Sequence, residues 1–538
     1  MRSSRLIPAV IALTLLLYAL ALDHTPPYLH EAEVLFGLHA HAIATTGHDL
    51  YGRFMPLYFQ MRPLGENTWW HPLLVYLTAL WLQVAPLTES MLRVPSALVG
   101  TVNVVLLYFI ARRLFARRGL ALFAAVLLAV TPAHFVQSRI AMDYIYPLPF
   151  VLGWTLALLR FFDDRRPRWL FVATSLLGIG TYSYIASVLM MPVYGLITIG
   201  VLIATRCRDR RVWLAGAGGY VWPLVILPVW LWFHPGVIDQ TLVRYTPQEP
   251  TPVSGKTTGM SLLEALEELR KPEHFTSLPR RLSLYWYFFD PTYLFVTGGY
   301  ASVMNSTRHV GVFLAPLLML VPLGLWRVAR RPDLGSVLVV LGFLTAPVAA
   351  VLAVPEPYAI DREMAVVPFG VLLACYGTEY ALAAGSVWRR RLLFVVLLAL
   401  PLHFAFFLFD YFVDYRPRAG FWFGLNHRAA VESVIRADGD SPAPAVYLSA
   451  RNDPFLEAYW QFALAKWHRE DLAARTVIDL PGTPARDVGA MAAGSLILIN
   501  RNDPDTKDVL IRDDVVLVGN VPEVGDEQHY WVVRKNGR

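Results

Sequence analysis

The stretch Ile110-Ala111-Arg112-Arg113-Leu114-Phe115-Ala116-Arg117-Arg118-Gly119-Leu120 decides the architecture. Its four arginines sit between two apolar runs, 94–111 before them and 119–136 after. A bilayer crossing takes about 20 apolar residues, and guanidinium groups are costly inside the hydrocarbon. The block therefore reads as a turn at a membrane surface between two crossings, and an arginine excess places that turn in the cytoplasm.

Working outward, the same punctuation recurs at Arg165/Arg166/Arg168, Arg206/Arg208/Arg210/Arg211, Arg327/Arg330/Arg331 and Arg389/Arg390/Arg391. If every cluster is cytoplasmic, an even number of crossings must separate neighbouring clusters. The apolar runs come in twos: 119–136 with 144–161, 169–184 with 187–204, 212–233 with 309–326, and 334–354 with 363–384. The run 392–410 then leads out. Between Arg5 and Arg112 lie three runs, 6–22, 72–86 and 94–111, which would break the parity. The middle one is short and has Pro72 and Pro86 at its ends, so it reads as a helix lying in the outer interface. About eleven spans follow, with the N-terminus cytoplasmic and the C-terminus outside. Arg2 and Arg5 before the run 6–22, with Ala19-Leu20-Ala21 at its end, also fit a cleaved signal peptide, but the many later spans favour an uncleaved first span.

Composition agrees. Of the 538 residues 56% are hydrophobic and 16% charged, against about 25% charged in soluble domains. The net charge of +6 lies mostly at the ends of apolar runs, so it serves orientation and argues against nucleic-acid binding. Cys207 and Cys375 have no metal-ligand spacing and suggest no disulfide.

The expected fold class is a polytopic α-helical membrane protein with a small C-terminal soluble α/β domain. Its domains are 1–410, transmembrane, with external loops 23–93 and 234–308, and 411–538, extracytoplasmic. In the tail, β-rich runs at 445–450, 476–480, 495–500 and 515–519 alternate with helix-like 429–437 and 454–470.

Polar residues on the external rim are the candidates for chemistry, because ionisable groups beside hydrocarbon need a reason to be there. Glu31 and Glu33 open a helix-like segment in the first external loop and cannot share a helix face. Either could face a reaction centre while the other caps the helix start. Arg139 and Asp143, four apart, could pair on one helix face, as a structural ion pair or as a guanidinium and an acid serving a phosphate. Arg362, flanked by Asp361 and Glu363, enters the membrane after the turn Pro355-Glu356-Pro357-Tyr358, as an interfacial snorkel or as a phosphate ligand. No Walker A sequence, His-Glu-x-x-His, zinc-type Cys/His cluster or Gly-x-Ser-x-Gly occurs. His39 and His41 alone are too little for a metal site.

One span, an acidic external segment, a helix starting His71-Pro72-Leu73, then Arg93-Val94-Pro95-Ser96-Ala97-Leu98-Val99-Gly100, Ala111-Arg112-Arg113-Leu114-Phe115 and the block Ser138-Arg139 to Asp143 follow in order. This order, over roughly 1–410, resembles the GT-C membrane glycosyltransferases (protein O-mannosyltransferases, family 39, and lipid A aminoarabinose transferases). Gly47-His48-Asp49 and Thr131-Pro132-Ala133-His134-Phe135 are similar to bacterial members. The resemblance implies a polyprenyl-phosphate-linked sugar as donor, inverting transfer to a protein, lipid or glycan acceptor on the extracytoplasmic face, and residence in a bacterial-type plasma (inner) membrane. Its hallmark Asp-Glu pair, registered on Phe36-Gly37, falls on Ala32 and Glu33; the aspartate is missing and Glu31 lies one position earlier.

Attack by a hydroxyl on an anomeric carbon needs a general base, for which Glu33, Glu31 and Asp143 are the candidates. The departing lipid phosphate needs cations, for which Arg139, Arg362 and Arg93 are available. The residues point to no particular cofactor; a divalent cation bridging carboxylate and phosphate is compatible with them but not demanded. Two other readings stand beside the enzyme: a transporter or lipid flippase, disfavoured because ionisable residues cluster at span ends, and a non-catalytic membrane scaffold, suggested by the missing aspartate. The topology has a direct check. A membrane-impermeant maleimide should leave native Cys207, in the 206–211 connector, unlabelled on intact cells and label it after lysis. Labelling before lysis would overturn the cytoplasmic assignment.

Overall fold

The computed structural model describes residues 6–64, 68–234, 278–299, 302–353, 358–383, 387–484, 486–524 and 528–537. Most of the expected external loop 234–308, and Pro355, Glu356 and Pro357 of the later turn, lie outside the described residues. The chain forms two compact units. Met1–Leu20, Pro56–Leu74 and Arg93–Asp410 make the first; Ala21–Met55, Val75–Leu92 and Tyr411–Arg538 make the second.

The first unit is helical. Seven helices among the described residues are long and apolar enough to cross a membrane: Glu89–Leu114, Asp143–Asp164, Ser187–Ala204, Arg210–Phe233, Leu334–Leu352, Val366–Ala383 and the long Val387–Phe423 segment. Shorter helices, Leu6–Ala19, Arg118–Ala129, Pro167–Gly180 and Leu317–Arg330, stand at the four remaining expected spans. The polytopic fold class expected from the sequence is borne out. Pro72–Leu82 is a helix of 11 residues, as short as its prolines suggest.

Two expected runs begin differently. Pro132 divides 119–136, so Arg118–Ala129 stops and Pro132–Gln137 starts anew. The run 309–326 becomes helical only at Leu317. Before that, the N–H groups of Val312 and Phe313 are drawn to the carbonyls of Tyr293 and Leu294 (3.4 and 2.8 Å), which satisfies them without helix.

Close helix contact in the first unit depends on missing side chains. A Cβ at Gly324 would lie 1.9 Å from the Leu373 carbonyl oxygen, and one at Gly377 2.1 Å from that of Leu320. Leu317–Arg330 and Val366–Ala383 thus pack backbone to backbone, the small-residue contact that replaces hydrophobic drive in a membrane. On Val387–Phe409, by contrast, Phe394, Val395, Leu398, Leu402 and Phe406 are exposed, as suits side chains whose solvent is lipid.

The second unit is α/β. Its five-stranded sheet runs, edge to edge, Thr476–Asp479, Val446–Ser449, Leu496–Asn500, Gln528–Lys535, Val515–Pro522. The first three strands are parallel and the last two pair antiparallel. All four strands expected from the sequence form, and Gln528–Lys535 joins them. The helices His427–Asp440 and Leu456–Trp467 correspond to the expected 429–437 and 454–470. Helix Glu31–Thr46 packs against Leu456–Trp467, and Tyr459 donates its hydroxyl to the Leu29 carbonyl at 2.7 Å.

One ion-pair network in this unit joins residues far apart in sequence. Lys466, only 9% exposed at its side chain, donates to both Glu89 oxygens (2.8 and 2.9 Å) and to Glu432 (2.6 Å). Arg428 adds contacts of 3.2 and 3.4 Å to the same two carboxylates. Truncating one partner of a buried ion pair strands the other charge and costs about 3–5 kcal/mol. Lys466→Met should therefore lower the thermal unfolding midpoint clearly, and adding Glu89→Gln with Glu432→Gln should recover part of the loss. An unchanged midpoint for the single variant would show the network to be dispensable.

Candidate active site

The first unit gathers its polar residues where helices are interrupted. Helix Pro132–Gln137 ends at Ser138, whose hydroxyl donates to the His134 carbonyl at 2.6 Å. A Cβ on Gly100 would come within 2.2 Å of Ser138 Oγ, so only glycine admits the turn there. Residues 138–142 are not helical, and a short 3-10 turn, Asp143–Ile145, follows. Arg139 and Asp143 therefore do not share a helix face, which corrects the i,i+4 geometry expected from their spacing.

Arg139 turns inward and is fully buried. It donates to the carbonyls of Tyr18 and Leu17 (2.8 and 3.3 Å) in the last turn of helix Leu6–Ala19, and its guanidinium lies 5.2 Å from the centre of the Phe135 ring. Cationic donors at a helix C-terminus satisfy carbonyls that have no partner in the helix.

Asp143, 2% exposed, lies instead in a cluster centred on Tyr184. The Tyr144 ring meets the Tyr184 ring at 5.5 Å, and Tyr184 donates its hydroxyl to Asp361 Oδ2 at 3.2 Å. Tyr184 lies within electrostatic reach of Asp361, Arg362 and Asp143 together. The short helix Ile360–Glu363 packs on the Asp143–Ile145 turn, and Arg362 approaches Asp361 at 3.5 Å. Gln137 donates to Asn305 Oδ1 at 2.8 Å, and Asn305 reaches Asp361 Oδ1 at 3.5 Å. Glu363, fully buried, accepts the Tyr293 hydroxyl. Arg93 is 1% exposed; one turn along its helix, Ser96 meets the Tyr146 hydroxyl at 3.4 Å, beside the Asp143 turn. A small, partly open pocket borders the cluster at Asn305 and Ile360, lined also by Val136, Ser306, Val310 and Phe407.

Asp143, Arg362 and Arg93 are thus brought to one region, with Arg139 directed at the first helix. Glu31 and Glu33 belong to the second unit, at the start of helix Glu31–Thr46. Glu33 is fully buried and its Oε2 accepts the His30 N–H at 2.9 Å, while His30 Nδ1 accepts the Ala32 N–H at 3.1 Å. Glu31 faces outward, 23% exposed at its side chain, with Oε1 3.1 Å from His30 Nε2. The two acids do point apart, as their spacing requires. Burial holds the His30 pKa below the ordinary histidine range, against the pull of both glutamates, which favours the neutral ring. Among the described residues no group of three or more His, Cys, Asp or Glu side chains is placed to hold a metal ion.

Sequence reasoning passed over Tyr184, Tyr293 and Asn305. Local signals existed: Tyr182-Ser183-Tyr184 is polar at the junction of two apolar runs, and Asn305 opens the polar run Asn305-Ser306-Thr307-Arg308-His309 before the apolar residues from Val310.

Comparison with known proteins gives the arrangement a context. Residues 70–232 match the family model described as dolichyl-phosphate-mannose-protein mannosyltransferase. The structure superposes on the crystal structure of ArnT from Cupriavidus metallidurans bound to undecaprenyl phosphate with a TM-score of 0.54, 14% identity and 98% of each chain covered. The chain has an ArnT-like fold. AglB, the oligosaccharyltransferase of the archaeon Archaeoglobus fulgidus, solved with an inhibitory peptide and a dolichol-phosphate, superposes with a TM-score of 0.49 at 13% identity, covering 85% of this chain and 64% of that one. No curated protein matches in sequence. The GT-C resemblance read from the order of sequence blocks is borne out by the family match and by the fold.

The inward pose of Arg139 makes a distinction that stability can read. Charged hydrogen bonds of this kind contribute roughly 1.5–3 kcal/mol each. Arg139→Met should lower the unfolding midpoint in detergent, whereas Arg362→Gln, at a half-buried site, should move it much less. Equal midpoints would remove the capping role of Arg139.

Proposed function

We propose that this protein is a membrane glycosyltransferase that moves a sugar from a polyprenyl-phosphate donor to an acceptor hydroxyl on the extracytoplasmic face. The observation that carries this reading is the fold shared along 98% of both chains with ArnT, whose crystal structure holds undecaprenyl phosphate. The match of 70–232 to a dolichyl-phosphate-mannose-protein mannosyltransferase model supports the same donor class. The arginine connectors support a multi-pass inner-membrane protein with a cytoplasmic N-terminus and an extracytoplasmic C-terminal domain.

The chemistry follows from the residue types. The acceptor oxygen bonds to the anomeric carbon as the bond from that carbon to the phosphate oxygen breaks, inverting the centre. The hydroxyl proton passes to a carboxylate and the electron pair leaves on the lipid phosphate. Asp143, Glu33 and Glu31 are the candidate bases, and Asp143 has Arg93 and Arg362 in its own region of the first unit. Those guanidinium groups would offset the charge growing on the phosphate. Arg139 could add a third cation. A divalent cation remains compatible with carboxylates and a phosphate, but no step above is routed through one. The acceptor is a protein, lipid or glycan bearing a free hydroxyl.

In proteoliposomes supplied with polyprenyl-phosphate sugars, the wild-type chain should release polyprenyl phosphate and form a glycosylated product. Removing the base should lower kcat by about 10²–10⁴-fold, so one of Asp143→Asn, Glu33→Gln and Glu31→Gln should show that loss. Arg362→Gln should weaken donor use by about tenfold or more. Full transfer by all three carboxylate variants would remove this catalytic assignment, and solute transport without glycosyl product would replace the reading with a transporter.

A further inference from the structure

The turn between helices Ser187–Ala204 and Arg210–Val221 in the first unit carries Arg206, Arg208, Arg210 and Arg211 against a single acid, Asp209. All four arginines are exposed. Among the described residues none of their guanidinium groups makes an ion pair, a hydrogen bond or a ring contact. Asp209 is spent on the backbone, where its Oδ1 accepts the Arg211 N–H at 2.8 Å and caps the helix. Each of the other arginine clusters has at least one guanidinium taken up inside the chain. Arg113 pairs with Asp163, Arg166 with Asp164 at 3.5 Å, and Arg327 with Asp333 and Glu379 at 3.3 and 3.5 Å; Arg389 and Arg391 lie over Tyr380 and Trp388. Membrane orientation asks for positive charge at this end of the spans, but it does not ask for four guanidinium groups without partners.

Packing enlarges this patch. A Cβ at Gly216 would stand 3.1 Å from Leu170 Cδ2, one at Gly219 2.5 Å from the Phe171 carbonyl oxygen, and one at Gly178 2.6 Å from the Tyr220 carbonyl oxygen. These contacts advance together along both chains, so helices Pro167–Gly180 and Arg210–Val221 run parallel and their first turns lie side by side. Arg165, Arg166 and Arg168, all exposed, thereby join the four arginines of the turn. The first-turn N–H groups of both helices add positive potential to the same surface. Each of the two turns is made by an arginine in the left-handed region, Arg165 at φ 54° and Arg206 at φ 50°, where glycine would be easier. Beyond the charges, Phe171, Val172 and Leu214 expose apolar side chains along the same two helices (41, 40 and 60%).

We propose that this patch binds the headgroup of an anionic phospholipid, with guanidinium groups of both turns on its phosphate and its acyl chains along Phe171, Val172 and Leu214. Guanidinium N–H pairs match the spacing of phosphate oxygens. The apolar flank beside the charges fits a lipid rather than a free anion. Helix Pro167–Gly180 separates the patch from Tyr184, which follows the other end of that helix, so the lipid bound here is no substrate of the cluster around Asp143 and Asp361. The inference depends neither on glycosyl transfer nor on which membrane face this end occupies.

The test uses the full chain in detergent micelles, with phosphatidylglycerol, cardiolipin or phosphatidylcholine added and bound lipid counted by native mass spectrometry. The wild type should bind phosphatidylglycerol or cardiolipin about tenfold more tightly than phosphatidylcholine. The triple variant Arg208→Gln/Arg210→Gln/Arg211→Gln should lose about tenfold of that affinity, whereas Arg389→Gln/Arg390→Gln/Arg391→Gln should lose less than about threefold. Removing orientation charges can spoil insertion, so unfolding midpoints accompany each variant. If the triple variant fails to fold, Arg208→Gln/Arg210→Gln carries the result, with an expected loss of about fivefold. Equal binding of the three lipids by the wild type, an unchanged preference in the folded variants, or an equal loss in the 389–391 variant would overturn the site. Release of the lipid by millimolar inorganic phosphate would assign the patch to soluble anions and overturn it as well.

Discussion

The cost of placing an unsatisfied polar group in hydrocarbon governs the first unit. Backbone groups meet it by forming helices, since no water is there to pair with them. Buried hydroxyls meet it locally: Thr131, Thr155, Thr198 and Thr378 each donate to the carbonyl four residues back. Trp154, fully buried, gives its indole N–H to Thr198 at 2.9 Å. Arginines meet the same cost at helix ends, where Arg113 pairs with Asp163, and Arg327 with Asp333 and Glu379. With that demand satisfied, and with little hydrophobic drive between helices in lipid, packing depends on how closely backbones approach, and Gly324 and Gly377 supply the approach.

Against this background the cluster around Tyr184 stands out by concentration. Asp143, Asp361, Arg362 and Glu363 occupy neighbouring turns and are satisfied largely by side chains: Tyr184 and Asn305 for Asp361, Tyr293 for Glu363. Holding so many ionisable groups together is expensive in stability, and such concentrations mark functional sites more often than structural ones. Arg139 shows the contrary case. It is as buried as any of them, yet it is aimed at the carbonyls closing the first helix.

The second unit follows the rules of soluble proteins. Its sheet alternates with helices, and the helix bearing Glu31 and Glu33 lies against Leu456–Trp467 from the far end of the chain. The segment bearing both candidate acids is therefore packed against C-terminal residues, with Tyr459 donating to the Leu29 carbonyl just before it.

Much of this was legible in the chain itself, because the terms involved act locally. Apolar runs between arginine clusters specified helices one by one, and alternating β-rich and helical segments after residue 411 specified the small α/β fold. The strand Gln528–Lys535 escaped notice: Gln528-His529-Tyr530-Trp531-Val532-Val533-Arg534-Lys535 pairs on both sides, so its polarity does not alternate as an exposed strand's would. What only tertiary structure decided were encounters between distant residues. Four-residue spacing suggested that Arg139 and Asp143 share a helix face, yet the helix ends at Ser138 and the two no longer lie on one helix. Nothing near Tyr184, Asn305 or Asp453 in sequence announces Asp361, Gln137 or Tyr530, because burial and hydrogen bonding depend on who arrives from elsewhere in the chain. Hydropathy and charge are sums over neighbours in sequence; a site is a meeting of neighbours in space.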